Sequence, residues 1–153
     1  MMLAAGMLLV AATTLASDPP FQASPTQRPL PASYPDSLAA TFSICGEARR
    51  VNCVVDGDTF WHLRVKIRIA DIDVPELSPP HCETERMKGE AARRRLLDLL
   101  NAGAFSLFAA DRDEDRFGRK LRVVRRAGHS LGATLIAEGL ARPWGGPRRN
   151  WCD

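Results

Sequence analysis

Val51-Asn52-Cys53-Val54-Val55-Asp56-Gly57-Asp58-Thr59-Phe60-Trp61-His62-Leu63-Arg64-Val65-Lys66-Ile67-Arg68-Ile69 holds three strand signals in close succession. Val51 to Val55 is β-branched and apolar. Asp56-Gly57-Asp58 is a turn signal, and Thr59 to Leu63 returns as a second strand. Val65 to Ile69 alternates with period two, which predicts Val65, Ile67 and Ile69 on one face and Arg68 on the other. Pro75 stops this run. The spacing then predicts a helix over Thr84 to Asn101, with Met87, Ala91, Leu96, Leu97 and Leu100 on or near one side and Gly103 as its breaker. Phe105 to Ala109 and Leu121 to Val124 read as two more strands joined by a charged turn. Ser130 can cap a second helix, Leu131 to Glu138, closed by Gly139. The predicted class is α+β: five strands, with helices after strand 3 and strand 5. That order matches an OB-fold-like, partly open barrel. An unrelated α+β sandwich fits the same order.

The chain has 153 residues, enough for one ordinary domain and too few for two. Apolar residues are 45% and charged residues 25%, which excludes wholesale disorder. The formal charge of +3 is too mild to imply a nucleic-acid partner by itself. No apolar run long enough to cross a bilayer lies outside the N-terminus, which excludes a bundle of spanning helices. Met1 to Ala16 carries no charged side chain and ends in small residues, so it reads as a signal peptide; an uncleaved anchor or a misplaced start codon would also fit. Export would put the protein in the periplasm or outside the cell. Ser17 to Ala40 contains six prolines and reads as a linker, residues 17–40, ahead of a folded domain at 41–153. With export, the four cysteines are expected to form two disulfides. Cys45 with Cys53 and Cys82 with Cys152 is one of the three possible pairings.

The chemistry concentrates in Asp56-Gly57-Asp58-Thr59 and in Arg68 followed by Asp73 and Glu76. Carboxylates from a turn and a strand end converge if the strands are neighbours. Such hard oxygens suit Ca²⁺ or Mg²⁺ and not zinc. A guanidinium beside them can hold a phosphate through two parallel hydrogen bonds. Arg119, after Gly118, is a second such clamp. Bland readings exist for each: Asp-Gly-Asp is a common hairpin turn, and Arg68 alone could lie on a solvated face. The joint spacing favours the site. Asp111, Asp113 and Asp115 resemble the start of an EF-hand loop, but Arg116 and Arg122 stand where Gly and Glu are needed. That segment reads as a charged turn in which Asp115 supports Arg119. His62, His81 and His129 share no ligand spacing and read as surface or packing residues.

Three segments together resemble the staphylococcal nuclease (thermonuclease) family. They are Val54-Val55-Asp56-Gly57-Asp58-Thr59, Arg68 through Asp73-Val74-Pro75-Glu76, and Asp115-Arg116-Phe117-Gly118-Arg119. The resemblance runs from about Val51 to Trp144 and includes Gly139-Leu140-Ala141. It implies Ca²⁺ held by Asp58 and Asp73, with the Val74 backbone carbonyl as a further ligand and Asp56 as an acid near the metal. It implies Glu76 as general base or water-positioning group. Arg68 and Arg119 would hold the scissile phosphate. The implied activity is Ca²⁺-dependent hydrolysis of DNA and RNA with cleavage at the 5′-oxygen. Val74 stands where the family often has Thr, and Phe117 where Tyr is common. Too few residues follow Gly139 for a long third helix; Trp144, Trp151 and Cys152 are expected to pack the tail. Arg142, Arg148 and Arg149 read as a basic, solvated end, or as residues that track a nucleic-acid backbone.

Two other functions fit a chain of this kind. One is a non-catalytic OB-type module binding nucleic acid or a protein. The other is an envelope protein using calcium structurally. A monomer without a stable protein partner is the expectation for the nuclease.

Overall fold

The structure, a computed structural model, describes residues 36–147 and 150–153. The expected signal peptide and residues 17–35 of the expected linker lie outside the described residues, as do Arg148 and Arg149. The fold is α+β, a mixed sheet with two helices.

The first signals fold as read, with trimmed ends. β1 (Ser43–Ile44) lies parallel to β2 (Cys53–Asp56), and β2 turns back antiparallel into β3 (Thr59–His62). β3 pairs in turn with β4 (Val65–Ile69), with Thr59 opposite Arg68. Ile67 and Ile69 are buried, but Val65 is exposed, because it sits at the hairpin end beyond the core. Arg68, on the opposite face, is buried as well, so the solvated-face alternative for it falls.

β5 (Ile72–Asp73) precedes helix α1 (Glu83–Asn101), whose N-cap is Cys82. The buried residues of α1 are Glu85, Gly89, Ala92, Leu96, Leu99 and Leu100, the three-to-four spacing of one helix face. Met87 falls off that stripe and is exposed, which corrects the predicted face. At the end of the helix the Asn101 side chain accepts from the Phe42 amide at 2.8 Å and donates to the Phe42 carbonyl at 3.1 Å.

β6 (Ser106–Glu114) and β7 (Lys120–Arg126) are antiparallel, and both run longer than expected. β7 also lies parallel to β4, with Arg68 opposite Leu121. β8 (His129–Ser130) pairs with the end of β7, and Ser130 caps α2 (Leu131–Ala137) by accepting from the Ala133 amide. β9 (Arg142–Pro143) returns to pair with β5.

The main sheet runs β1-β2-β3-β4-β7-β6. β1 and β6, at its two ends, do not pair, so among the described residues the sheet does not close into a barrel. Among the described residues five strands have four residues or more, and their order around the helices is the expected one. Four two-residue strands add to the expected five, because two residues show no readable alternation. Sheet and helices enclose one apolar core around Phe60, Ile69, Leu96, Leu100, Phe105 and Leu135. His62 packs inside it between Phe42 and Phe105, a packing residue as expected.

The folded part begins before Thr41. Leu38 and Phe105 exchange both backbone hydrogen bonds, at 3.0 and 2.9 Å. Asp36 accepts from the Ser106 hydroxyl and the Ala127 amide. The last residues of the expected linker are therefore docked on the domain. Both expected cysteine pairs are disulfides, Cys45–Cys53 and Cys82–Cys152.

Candidate active site

The turn between β2 and β3 is pressed against α1. A Cβ on Gly57 would stand 2.6 Å from the Cβ of Ala92, so only glycine lets Asp56 and Asp58 ride this close to the helix. The β3–β4 register then sets Arg68 across from the turn. Its Nη2 lies 2.9 Å from Asp58 Oδ2, while Asp58 Oδ1 accepts from the Thr59 hydroxyl at 2.7 Å. The Trp144 ring covers Arg68, with the guanidinium carbon 4.4 Å from the ring centre. Trp144 is held there by its amide, which donates to the Asp71 carbonyl at 3.0 Å.

Negative charge is in surplus behind Arg68. Burial, followed by the neighbouring Asp56 carboxylate, pushes the Asp58 carboxyl up to about 7, against the pull of Arg68 and Thr59. Asp56 Oδ1 is buried with no hydrogen-bond partner among the described residues.

In front of this pair opens a cleft of about 680 Å³. Arg68, Asp73, Val74, Glu76 and Arg119 all line it, so five of the seven expected site residues meet there. Asp58 stands behind Arg68 as its ion-pair partner, next to Asp56. Glu76 projects from the loop that leaves β5. Burial comes first in raising its carboxyl above the ordinary glutamate value, followed by the charges of Asp58, Asp73 and Glu85, with Arg68 opposing. These carboxylates therefore feel one another across the site.

Arg119 closes the turn between β6 and β7. Gly118 takes a φ of 71° there, which a side chain would strain. Asp115 Oδ1 accepts from the amides of Phe117 and Arg119, and Oδ2 accepts from Arg119 Nε at 2.6 Å. Asp115 thus supports Arg119 as expected, and Asp113 pairs with Lys120 and Arg122.

Three neighbours of the site were not read from the sequence as site residues. Arg142 is no solvated tail residue: its Nε and Nη2 both contact Asp73 Oδ2, at 2.8 and 2.5 Å. Glu85 is a buried acid that accepts from the amides of Glu76 and His81 and contacts His81 Nδ1. It fixes the loop that carries Glu76. Trp144, expected only to pack the tail, covers the site arginine. An acid in a first helical turn and an Arg after Gly139-Leu140-Ala141 were the available signals, and neither specifies a partner.

The donor set fits a hard dication. Asp73 brings a carboxylate to the cleft and a buried Asp56 oxygen has no hydrogen-bond partner among the described residues, whereas both Asp58 oxygens are engaged, by Arg68 and Thr59. Among the described residues no three His, Cys, Asp or Glu side chains form a preassembled ligand cluster. Two carboxylates, a backbone carbonyl and water would complete such a shell, as is common for oxygen-ligated cations.

No family model matches the chain. Over 93 residues, 58% of this chain, it is 34% identical to Endonuclease YncB of Bacillus subtilis (strain 168), covering 44% of that protein. It is 38% identical over 93 residues to the SPbeta prophage-derived endonuclease YokF of the same organism, covering 31% of it. The chain thus spans less than half the length of these curated relatives.

Proposed function

We propose that the protein is an exported, calcium-dependent nuclease of the staphylococcal nuclease type that hydrolyses phosphodiester bonds of DNA and RNA. One observation carries the reading: two guanidinium groups, Arg68 and Arg119, line a single cleft with an exposed glutamate whose carboxyl is raised above the ordinary glutamate value. The endonuclease names of the two relatives and the order of strands and helices along the chain support it. Two disulfides suit an oxidising compartment.

A phosphodiester is anionic and repels a nucleophile. Arg68 and Arg119 offset its charge and most strongly the charge that builds on the five-coordinate phosphorus. Arg68 is held rigidly by Asp58 below and Trp144 above, so it needs no reorganisation when the phosphate arrives. Glu76 takes a proton from the attacking water as the new P–O bond forms. The bond to the 5′-oxygen breaks, and that oxygen leaves as a hydroxyl after gaining a proton from solvent, leaving a 3′-phosphate. Calcium, held by Asp58, Asp73 and the Val74 carbonyl, would supply further positive charge at the phosphate.

A DNA zymogram with calcium and with chelator tests the reading. Clearing with calcium alone, and loss of at least about a hundredfold in Glu76→Ala and Arg119→Ala, are expected. Nucleic-acid binding without product and without a calcium requirement would instead identify a non-catalytic module.

A further inference from the structure

Beyond the residues already placed, one wall of the cleft comes from the end of the chain. Gly145, Gly146, Asn150 and Trp151 line the cleft together with Glu76 and Arg119. Trp151 packs its ring against the Arg142 guanidinium, whose carbon lies 4.8 Å from the ring centre. Lys88 Nζ donates to the carbonyls of Trp151 and Asp153, at 2.9 and 3.1 Å. The remaining bonds of Asn150 and Cys152 are internal to the segment. The strong tie is covalent: Cys152 is bonded to Cys82, the N-cap of α1, across 70 residues of sequence.

We propose that this segment is a substrate-binding wall in which Trp151 meets a nucleoside of the bound strand, and that the Cys82–Cys152 disulfide keeps it on the cleft. The proposal rests on the nuclease reading. A nucleoside presents apolar faces beside an anionic backbone. An indole lining the same cleft as the phosphate-holding Arg68 and Arg119 matches both, and stacking of this kind accepts any base. The cleft stays open with the segment in place, so the segment borders the substrate path and does not block it. The disulfide fixes the ring in advance, which removes the ordering cost that a free tail would impose on binding.

Two variants test it. Trp151→Ala removes the ring and keeps the tie. Cys82→Ser with Cys152→Ser cuts the tie and keeps the ring; serine at 82 can still cap α1, and Cys45–Cys53 remains. Binding is read by fluorescence anisotropy of a labelled, cleavage-resistant phosphorothioate single strand. Turnover is read on a natural oligonucleotide and on methyl p-nitrophenyl phosphate, which carries no nucleoside. Both variants should bind the strand about tenfold more weakly and raise its KM to match, with kcat and small-diester turnover held within about twofold. Unchanged binding in either variant overturns the proposal. So does a parallel fall in small-diester turnover, which would mean that the segment acts through Arg142 on Asp73. A wild-type protein that binds the strand but cleaves nothing defeats the nuclease reading and leaves the wall to be judged by binding. One that neither binds nor cleaves defeats both.

Discussion

Asp58 and Glu85 are buried to nearly the same depth, 6% and 2% exposed, yet their carboxyls move in opposite directions. Burial and the Asp56 carboxylate push Asp58 up to about 7. Burial pushes Glu85 up as well, but the amide and ring of His81 and the amide of Glu76 outweigh it and hold the carboxyl below the ordinary glutamate value. Three donors aimed at Glu85 keep it charged, whereas Asp58 has only Arg68 and Thr59 to set against its burial and the Asp56 carboxylate. The floor of the cleft, at the β2–β3 turn, therefore stores negative charge that a cation or a proton can balance. The rim, at the first turn of α1, holds a satisfied anion that shapes the loop under Glu76.

The two site arginines follow the same division, and exchanging them for alanine should give the largest contrast. Arg68 is 9% exposed and sits on the floor against Asp58. Arg68→Ala should lower activity at least about a hundredfold and destabilise the protein by about 3 kcal/mol. That is the low end for breaking a buried pair, because Asp58 can escape by taking a proton. Arg119→Ala should lose activity similarly but destabilise less, by about 1–2 kcal/mol, since Arg119 is the more exposed of the two arginines and Asp115 keeps the bonds from the Phe117 and Arg119 amides. Urea unfolding of both variants measures this. Equal losses of stability would erase the distinction between floor and rim.

Sequence legibility follows the same line. The Asp58–Arg68 pair could be anticipated because a short hairpin fixes its own register: once Asp56-Gly57-Asp58 turns and Val65 to Ile69 alternates, Arg68 must come back near the turn. The turn of Asp115 to Arg119 is equally local. The Asp73–Arg142 pair was not legible. Its partners are 69 residues apart and meet through two-residue strands that show no periodicity. Glu85 read as an ordinary acid at a helix start, where it would favour the helix dipole from solvent. It turns inward only because the loop over residues 76–81 folds back over it, and nothing in the spacing of that loop specifies its course. Met87 failed for a related reason: apolar character alone does not say where the core ends.

Glu85→Gln sharpens the contrast from the rim side with a smaller effect. The carbonyl of Gln can still accept one bond, but its amide group faces donors. A loss of about 1–3 kcal/mol is expected, with faster hydrogen exchange at the Glu76 and His81 amides. The pH dependence has a definite sign. A carboxyl depressed in the folded state contributes stability above its unfolded value near 4.5 and loses it as pH falls through the folded value. The variant should lack that acid-side loss, so wild type and variant should converge in acid.

Asp58 predicts the opposite slope, and direct titration of the two carboxyls by carbon NMR is the closest test. Its folded value, about 7, lies above the ordinary 3.8, so between these values the folded state keeps a proton that the unfolded chain releases. Stability contributed by Asp58 therefore declines as pH rises through that window, where the contribution of Glu85 is already complete. Asp58→Asn, which is neutral throughout, should remove the decline. In the wild-type protein the Asp58 resonance should titrate near 7 and the Glu85 resonance below 4.5. Millimolar calcium should move the first midpoint downward and leave the second in place, because only the floor holds unbalanced charge. If both midpoints fell near 4 without calcium, the floor would be as well satisfied as the rim and the electrostatic motive for a cation beside Asp58 would vanish.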